Sequence, residues 1–543
     1  MKKITKVFYL LLFLVFVKGL IWSFFIPLWQ FPDEQEHFGH VSCNSELKIN
    51  CREAPIYEDM SEEIVTSLNL LDVNRDSNGN NKFTYHPEYN IPYSKSLTGL
   101  SEDKILNLGY DTRKNMVRQD SAYYPELFYN ISKIPYNLVY SASLFDRVFA
   151  VRIFWLPALL IIVWVGFEIS KILKPQSKIF PIAVSIGIGF HSMLSFVASG
   201  VTSDNILNLL FPLVILELVY LIRYGFKLQF IIFLLIFVYL GVNSKPQFYI
   251  VFGLIAPLAI SYLFKLLTMK NSWKFIYTFF VALVVSFIML FFQKQLLKFI
   301  LESINMFHTT NRTDRPDYSL LDHAFWTFNH TIREVIPWYW GVYRWLSLVL
   351  PRIINQISMR IVLIGFIGTI IGIIQNIFKK QTKSVKVYYF LIYSVFMYVI
   401  SIFLWDWNFV RTFSFSFGIQ GRYYFPIIVP LMILLITGIE TLAIYLGKII
   451  NLTGVKISQF LIEKIVLTII SLWFIFLGTF SPYWVISSYY DKSNFKNFIL
   501  QASQYKPWFA KGIYLKTLLL IFIASLLVFI FSFVKIILKS NEK

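Results

Sequence analysis

Cysteine occurs only twice in the 543 residues, and charged side chains make up just 15% of them. So few charges leave too little polar surface to cover the cores of a soluble chain this long. Two cysteines and seven scattered histidines form no recognisable metal-ligand spacing, so no metal site is read, although a divalent-metal requirement is not excluded by spacing alone. No arginine-rich stripe or nucleic-acid motif accompanies the net charge of +19, which excludes nucleic acid as the expected partner. No internal repeat is evident. No small-residue cleavage site follows the first apolar run, which is also longer than a signal peptide's core, so that run reads as a retained span.

What the chain does have is apolar length. Hydrophobic residues are 56% and aromatics 19%. Apolar runs long enough to cross a bilayer recur from end to end, which predicts an all-α polytopic membrane protein. About twelve spans are expected, near 7–29, 148–169, 179–200, 205–222, 228–242, 247–265, 274–292, 356–378, 387–405, 424–447, 465–486 and 514–537. Lysines and arginines crowd alternate connections, including Lys2, Lys3, Lys6, then Lys171, Lys174, Lys178, and later Lys448 and Lys456. By the positive-inside rule both termini are cytoplasmic. The polar stretch 30–144 is then a large first extracytoplasmic loop, and 293–351 a second, within a single transmembrane domain over 1–543. In the first loop "DMSEEIVTSLNLL" reads as a short helix with Asp59 as N-cap and Glu62 in its first turn. "YYPELFYNISKIPYNLVY" reads as an interfacial segment. Cys43 and Cys51 both fall outside, where a disulfide and two free thiols remain equally open.

The residues suited to chemistry gather at one level. "PLWQFPDEQEHFGH" places Asp33, Glu34 and His37 at the mouth of the first span. Acids solvated among headgroups and a general base at the membrane surface both fit that position. Asp204 lies between two spans, Lys245 between two short ones, Arg422 opens a later span, and Asp146, Arg147 and Arg152 open the second. Snorkelling or capping accounts for each alone. Together they make a layer of carboxylates and cations suited to a ligand with an acidic group such as phosphate. Trp338, Trp340 and Trp345 fit an aromatic belt, or a surface for a sugar ring or lipid chain.

Two motifs then carry a resemblance. Pro32, Asp33, Glu34 and His37 form a P-D-E-x-x-H element, and Gln420, Gly421, Arg422 and Tyr423 a Q-G-R-Y element. With "YYPELFY", "SKPQ" and "WGVYRW" between them, the chain from about Trp22 to Pro430 resembles a bacterial branch of the GT-C integral-membrane glycosyltransferases, one labelled only as a domain of unknown function. Arg344 departs from the glycine expected in the tryptophan–glycine block. The resemblance implies a GT-C-type fold and an enzyme. It would transfer a sugar from a polyprenyl-phosphate donor to a cell-surface glycan or lipid-linked acceptor, at the outer face of the bacterial cytoplasmic membrane and without a cofactor. Asp33 and Glu34 are the expected catalytic acids. His37, Arg152, Asp204, Lys245, Trp340, Gln420, Arg422 and Tyr423 are the expected substrate-binding residues, and membrane lipids the remaining partners. A polysaccharide polymerase or ligase is the alternative among enzymes. A transporter or flippase of lipid-linked glycans is the alternative from another class, although no paired halves are visible.

Overall fold

A run of about twenty apolar residues crosses the ~30 Å hydrocarbon layer as a helix, because lipid offers the backbone no other hydrogen-bond partner. The computed structural model describes residues 2–49, 51, 58–76, 80–93, 95–121, 124–268, 309–377, 382–452 and 456–539. Among these, eight helices are long and apolar enough to cross a membrane, or nine if one bent pair counts as a span. They are α1 (Lys2–Phe25), α6 (Leu144–Leu173), α9 (Asp204–Tyr224), α14 (Arg352–Ile377), α15 (Lys383–Phe413), α16 (Ile428–Asn451, entered through a 3-10 stretch at Gly421–Ile427), α17 (Gln459–Ile486) and α19 (Ile513–Lys539). The bent pair is α7 (Phe180–Gly189) and α8 (Ser192–Ala198), which meet at 57°. Two more expected spans are short apolar helices, α10 (Leu228–Val242) and the segment Pro246–Tyr262 at the start of α11 (Ile250–Thr268). The expected span at 274–292 lies outside the described residues. The expectation of twelve therefore resolves to eight or nine full-length crossings among the described residues.

The helices pack as a polytopic bundle in which α6 touches α1, α7 and α9, and α1 also touches α19. Helix α14 lies so close to α16 that a Cβ on Gly368 would stand 1.8 Å from the Gly438 carbonyl oxygen. Such close approach is how membrane helices gain dispersion energy where lipid supplies no hydrophobic drive. Helices α6 and α16 run in the same sense. Arg152 lies in the N-terminal third of α6 and Arg422 in the 3-10 entry to α16, while Lys174, just past the other end of α6, pairs with Glu440 midway along α16.

The stretch 30–144 is a folded layer over the bundle's end. It carries α2 (Glu34–Glu46), α3 (Glu62–Leu70), α4 (Lys95–Leu106), α5 (Leu127–Leu138) and a small antiparallel pair, β1 (Met60–Ser61) with β2 (Met116–Arg118). Helix α3 is where the sequence places it, but Ser61, not Asp59, caps it by accepting from the Ile64 N–H. Asp59 instead accepts from the backbone N–H groups of Asp120 and Ser121 at 2.9 and 3.0 Å. Both residues have the short side-chain oxygen that capping needs, and β1 carries the chain past Asp59 before the helix begins. Cys43 and Cys51 form a disulfide. From 309 to 351 the chain makes two hairpins, β3 (Thr310–Arg312) with β4 (Arg315–Tyr318) and β5 (Val342–Tyr343) with β6 (Leu348–Val349). Between them lie α12 (Leu320–His330) and α13 (Ile336–Trp340).

Candidate functional site

Helix α1 stops at Phe25, and Pro27 and Pro32 keep the following segment irregular. Asp33 ends that segment in the left-handed region, at φ 55°, immediately before α2. Asp tolerates this conformation better than most residues. Its side chain makes no capping bond to α2, and so it is available to partners elsewhere. Asp33 lies 2.5 Å from the Arg75 guanidinium and 3.0 Å from that of Arg422. Arg75 also pairs with Glu36 and lies over the Trp345 ring, 4.8 Å from its centroid.

Arg422 arrives from the far end of the sequence by a braced loop. Asp406 accepts from the Ser416 hydroxyl and the Phe417 N–H, and the His330 ring nitrogen donates to the Ile419 carbonyl at 2.9 Å. Gly421 then passes so close to Tyr339 that a Cβ there would stand 2.2 Å from its backbone nitrogen. Only a residue without a side chain fits that crossing, which delivers Arg422 to Asp33. Tyr398 donates to the Tyr423 carbonyl at 2.8 Å and holds the next residue.

These residues line a cavity of about 180 Å³, which Asp33, Arg75, Arg344, Arg422, Gln30 and Gln420 share with apolar and aromatic neighbours including Trp345. That is room for about six waters. Larger hollows exist elsewhere in the molecule, but this one holds the convergent charges. Its wall is also strained. Asp33, Arg344, Trp345 and Leu346 have positive φ, four of the eleven non-glycine residues that do so among the described residues. Each costs on the order of 1–3 kcal/mol, a cost that clusters at functional sites.

The electrostatics follow from burial and charge. Burial alone would raise the Asp33 carboxyl, but the guanidiniums of Arg422 and Arg75 outweigh it and hold the group well below the usual carboxylate range. Burial, and then the charge of Asp33, push Glu36 up to about 8. Burial and the Lys245 ammonium push His37 down to about 3, so its ring is neutral at pH 7.

The other expected residues divide into three groups. Glu34 is wholly buried and receives Arg152 through two hydrogen bonds of 2.7 and 2.5 Å, together with the N–H groups of Trp29 and Val201. Arg152 spends its remaining N–H groups on the carbonyls of Ser23, Ile26 and Pro27. This pair fastens the end of α1 to α6 and does not line the cavity. Asp204 and Lys245 pair at 2.5 Å, with the ammonium 4.3 Å from the Tyr124 ring centroid. Both act electrostatically on His37, which bonds the Tyr129 hydroxyl at 3.1 Å. Trp340 is buried and stacks on His191, with ring centroids 5.0 Å apart. It lines an apolar groove of about 520 Å³ along α15 and α16 instead of the charged cavity. Arg75, Glu36, Arg344 and Gln30 join the site without having been candidates. Arg344 alone gave a signal, as the departure from an expected glycine. Among the described residues, no three His, Cys, Asp or Glu side chains are placed to hold a metal ion.

A family described as a predicted membrane protein, DUF2142, matches residues 16–431. The chain belongs to this family. The match takes in both halves of the site, from Asp33 to Arg422, and ends within the first turn of α16. No curated protein and no solved structure matches the chain.

Proposed function

We propose that the protein is a membrane glycosyltransferase that moves a sugar from a polyprenyl-phosphate carrier to a glycan or lipid-linked acceptor at the outer face of the cytoplasmic membrane. One observation carries the reading: a carboxylate at the mouth of the first span, Asp33, faces a cavity in which arginine charge outnumbers acid. The acceptor hydroxyl attacks the anomeric carbon. The bond between that carbon and the phosphate oxygen breaks, and the phosphate leaves with the electron pair. The hydroxyl proton passes to the ionised Asp33, which becomes a stronger base as Arg422 and Arg75 turn from it to the phosphate. A placed base of this kind contributes typically 10²–10⁴-fold. Arg422 and Arg75 neutralise the charge that grows on the leaving phosphate, the term that preorganised donors serve best. Tyr424, two residues beyond Arg422, lines the apolar groove, which suits the carrier's hydrocarbon chain.

The test is mass spectrometry of lipids and surface glycans from cells lacking this chain. A lipid-linked sugar should accumulate while a glycan loses that sugar, and the gene should restore both. Unchanged lipids and glycans would contradict the proposal. A flippase reading draws on the bend between α7 and α8, since broken helices mark transporters. It predicts the same lipid accumulating on the inner leaflet, with transfer intact once the lipid is supplied outside. Orientation is read separately. The two natural cysteines are joined, so Asn80→Cys gives a single free thiol at the cavity wall. It should react with an impermeant reagent added to intact cells, and Lys448→Cys should not.

A further inference from the structure

The cavity at Asp33 contains more donors than the protein satisfies. Four side chains lining it carry a buried nitrogen with no hydrogen-bond partner: Nε of Arg75, Nε of Arg344, Nε of Arg422 and Nε2 of Gln30. Arg344 is almost wholly buried. Its terminal nitrogens reach only the carbonyls of Tyr89 and Ser488, and no carboxylate pairs with it among the described residues. Buried polar groups are normally paired, and a cluster of orphans of one kind marks what the missing partner must be. Here every orphan is a donor, so the partner is an acceptor-rich anion.

The count of charge narrows the anion. Three guanidiniums line the cavity against the one carboxylate of Asp33, a balance of +3 − 1 = +2. Glu36, raised to about 8, adds no full charge at pH 7, and Asp204 and Lys245 cancel each other. A carrier joined to its sugar through one phosphate offers one negative charge and two non-bridging oxygens. A carrier joined through a diphosphate offers two charges and four such oxygens. We infer that the cavity receives a diphosphate, and that Arg75 and Arg344 hold the second phosphoryl group while Arg422 holds the first. This inference rests on the lipid-linked donor proposed above and names its linkage. The match is one of charge to charge and donor to acceptor, the basis of phosphate recognition by arginine.

Binding by the full-length purified protein in phosphatidylcholine nanodiscs tests it, with farnesyl diphosphate and farnesyl monophosphate, each capped with the same sugar so that they carry two charges and one, and inorganic pyrophosphate as probes. The diphosphate should bind at least tenfold tighter than the monophosphate. Inorganic pyrophosphate should bind more weakly than farnesyl diphosphate because it leaves the apolar groove empty. Arg344→Gln should reduce the preference between the two farnesyl probes to threefold or less while leaving monophosphate affinity near that of the unchanged protein. Arg75→Gln, at a partly exposed position, should also reduce the preference between the two farnesyl probes, with some loss of monophosphate affinity because Arg75 also serves the leaving phosphate. Equal affinity for the two farnesyl probes, or a preference that survives both substitutions, would overturn the inference. Pyrophosphate binding as tightly as farnesyl diphosphate would overturn its lipid-linked part. These results are separable from the proposed function. A protein that transfers sugar but shows no diphosphate preference overturns only the linkage. One that prefers diphosphate while surface glycans and lipids stay unchanged in its absence overturns only the transfer.

Discussion

Asp33 and Glu34 are neighbours in sequence, and each pairs with arginine, yet they occupy opposite environments. Glu34 and Arg152 are sealed from solvent, and every oxygen of that carboxylate is satisfied. Asp33 and Arg422 border a cavity in which donors outnumber acceptors. The positive φ of Asp33 separates them, because it turns one side chain out of the helix start and leaves the other on the first turn of α2. An acid that is fully paired and buried holds structure together. An acid paired at the edge of a cavity is placed for exchange with a ligand. The expectation that both acids take part in chemistry therefore separates into a fastening place for Glu34 and, under the function proposed above, a chemical one for Asp33.

The largest expected effect breaks the fastening side. Glu34→Gln or Arg152→Gln leaves an uncompensated buried charge, which costs about 3–5 kcal/mol. Thermal unfolding in detergent should show each variant strongly destabilised, with loss of monodisperse protein before any specific loss of donor binding. A Glu34→Gln protein of normal stability that transfers no sugar would move Glu34 into the chemistry. Next in size is Arg422→Lys. A lysine keeps the charge but loses the planar fork, so donor affinity should fall about 10–100-fold, or roughly 1.5–3 kcal/mol. Arg422→Ala should bind more weakly still, and unchanged binding in both would remove Arg422 from the site.

The smallest effect is a pH dependence. Glu36 faces Arg75, Asp33 and Asp120, and it keeps its proton up to about pH 8. Below that pH the cavity is more positive, and above it a second carboxylate competes for Arg75. Affinity for an anionic donor should fall a few-fold as pH rises through 8, well under the roughly 1.4 kcal/mol that a factor of ten represents. Glu36→Gln should flatten the curve. A dependence that persists in the glutamine variant would assign it to another group. The same shift bears on stability. In the unfolded chain Glu36 loses its proton near 4.5, so between 4.5 and 8 the folded state binds more proton and this group's contribution to stability falls as pH rises.

The bundle was legible because apolar length is a direct physical demand of the bilayer, and the long runs at α1, α6, α9 and α14 to α17 needed no tertiary context. Two short motifs also marked Asp33 and Arg422, although nothing in the sequence says that they meet. Helix α2 was hidden for a specific reason. All of its residues except Glu36 are buried, and many of them are polar, so the apolar stripe that reveals a surface helix is missing. Several of its polar side chains find partners on α5 and the residue before it instead, as in His37 with Tyr129, Ser42 with Tyr136, and His40 and Asn44 with Glu126. Arg75 and Arg344 escaped because their role depends on loop geometry. Arg75 lies in a connection without periodicity, and Arg344 in a hairpin where three consecutive residues have positive φ. The place of Trp340 was not legible, because a tryptophan near a membrane surface suits a belt, a platform for a sugar or lipid chain and a core position equally; in the structure it is buried against His191 and lines the apolar groove.

The most direct measurement is sugar transfer by purified protein in lipid vesicles, from the lipid-linked sugar that accumulates in cells lacking the chain. Wild type is compared with Asp33→Asn, with thermal unfolding and donor binding recorded for both. The substitution keeps the size of the side chain and removes the base. The account predicts a loss of about 10²–10⁴-fold in turnover with folding intact and donor still bound. Transfer by Asp33→Asn at the wild-type rate would contradict it.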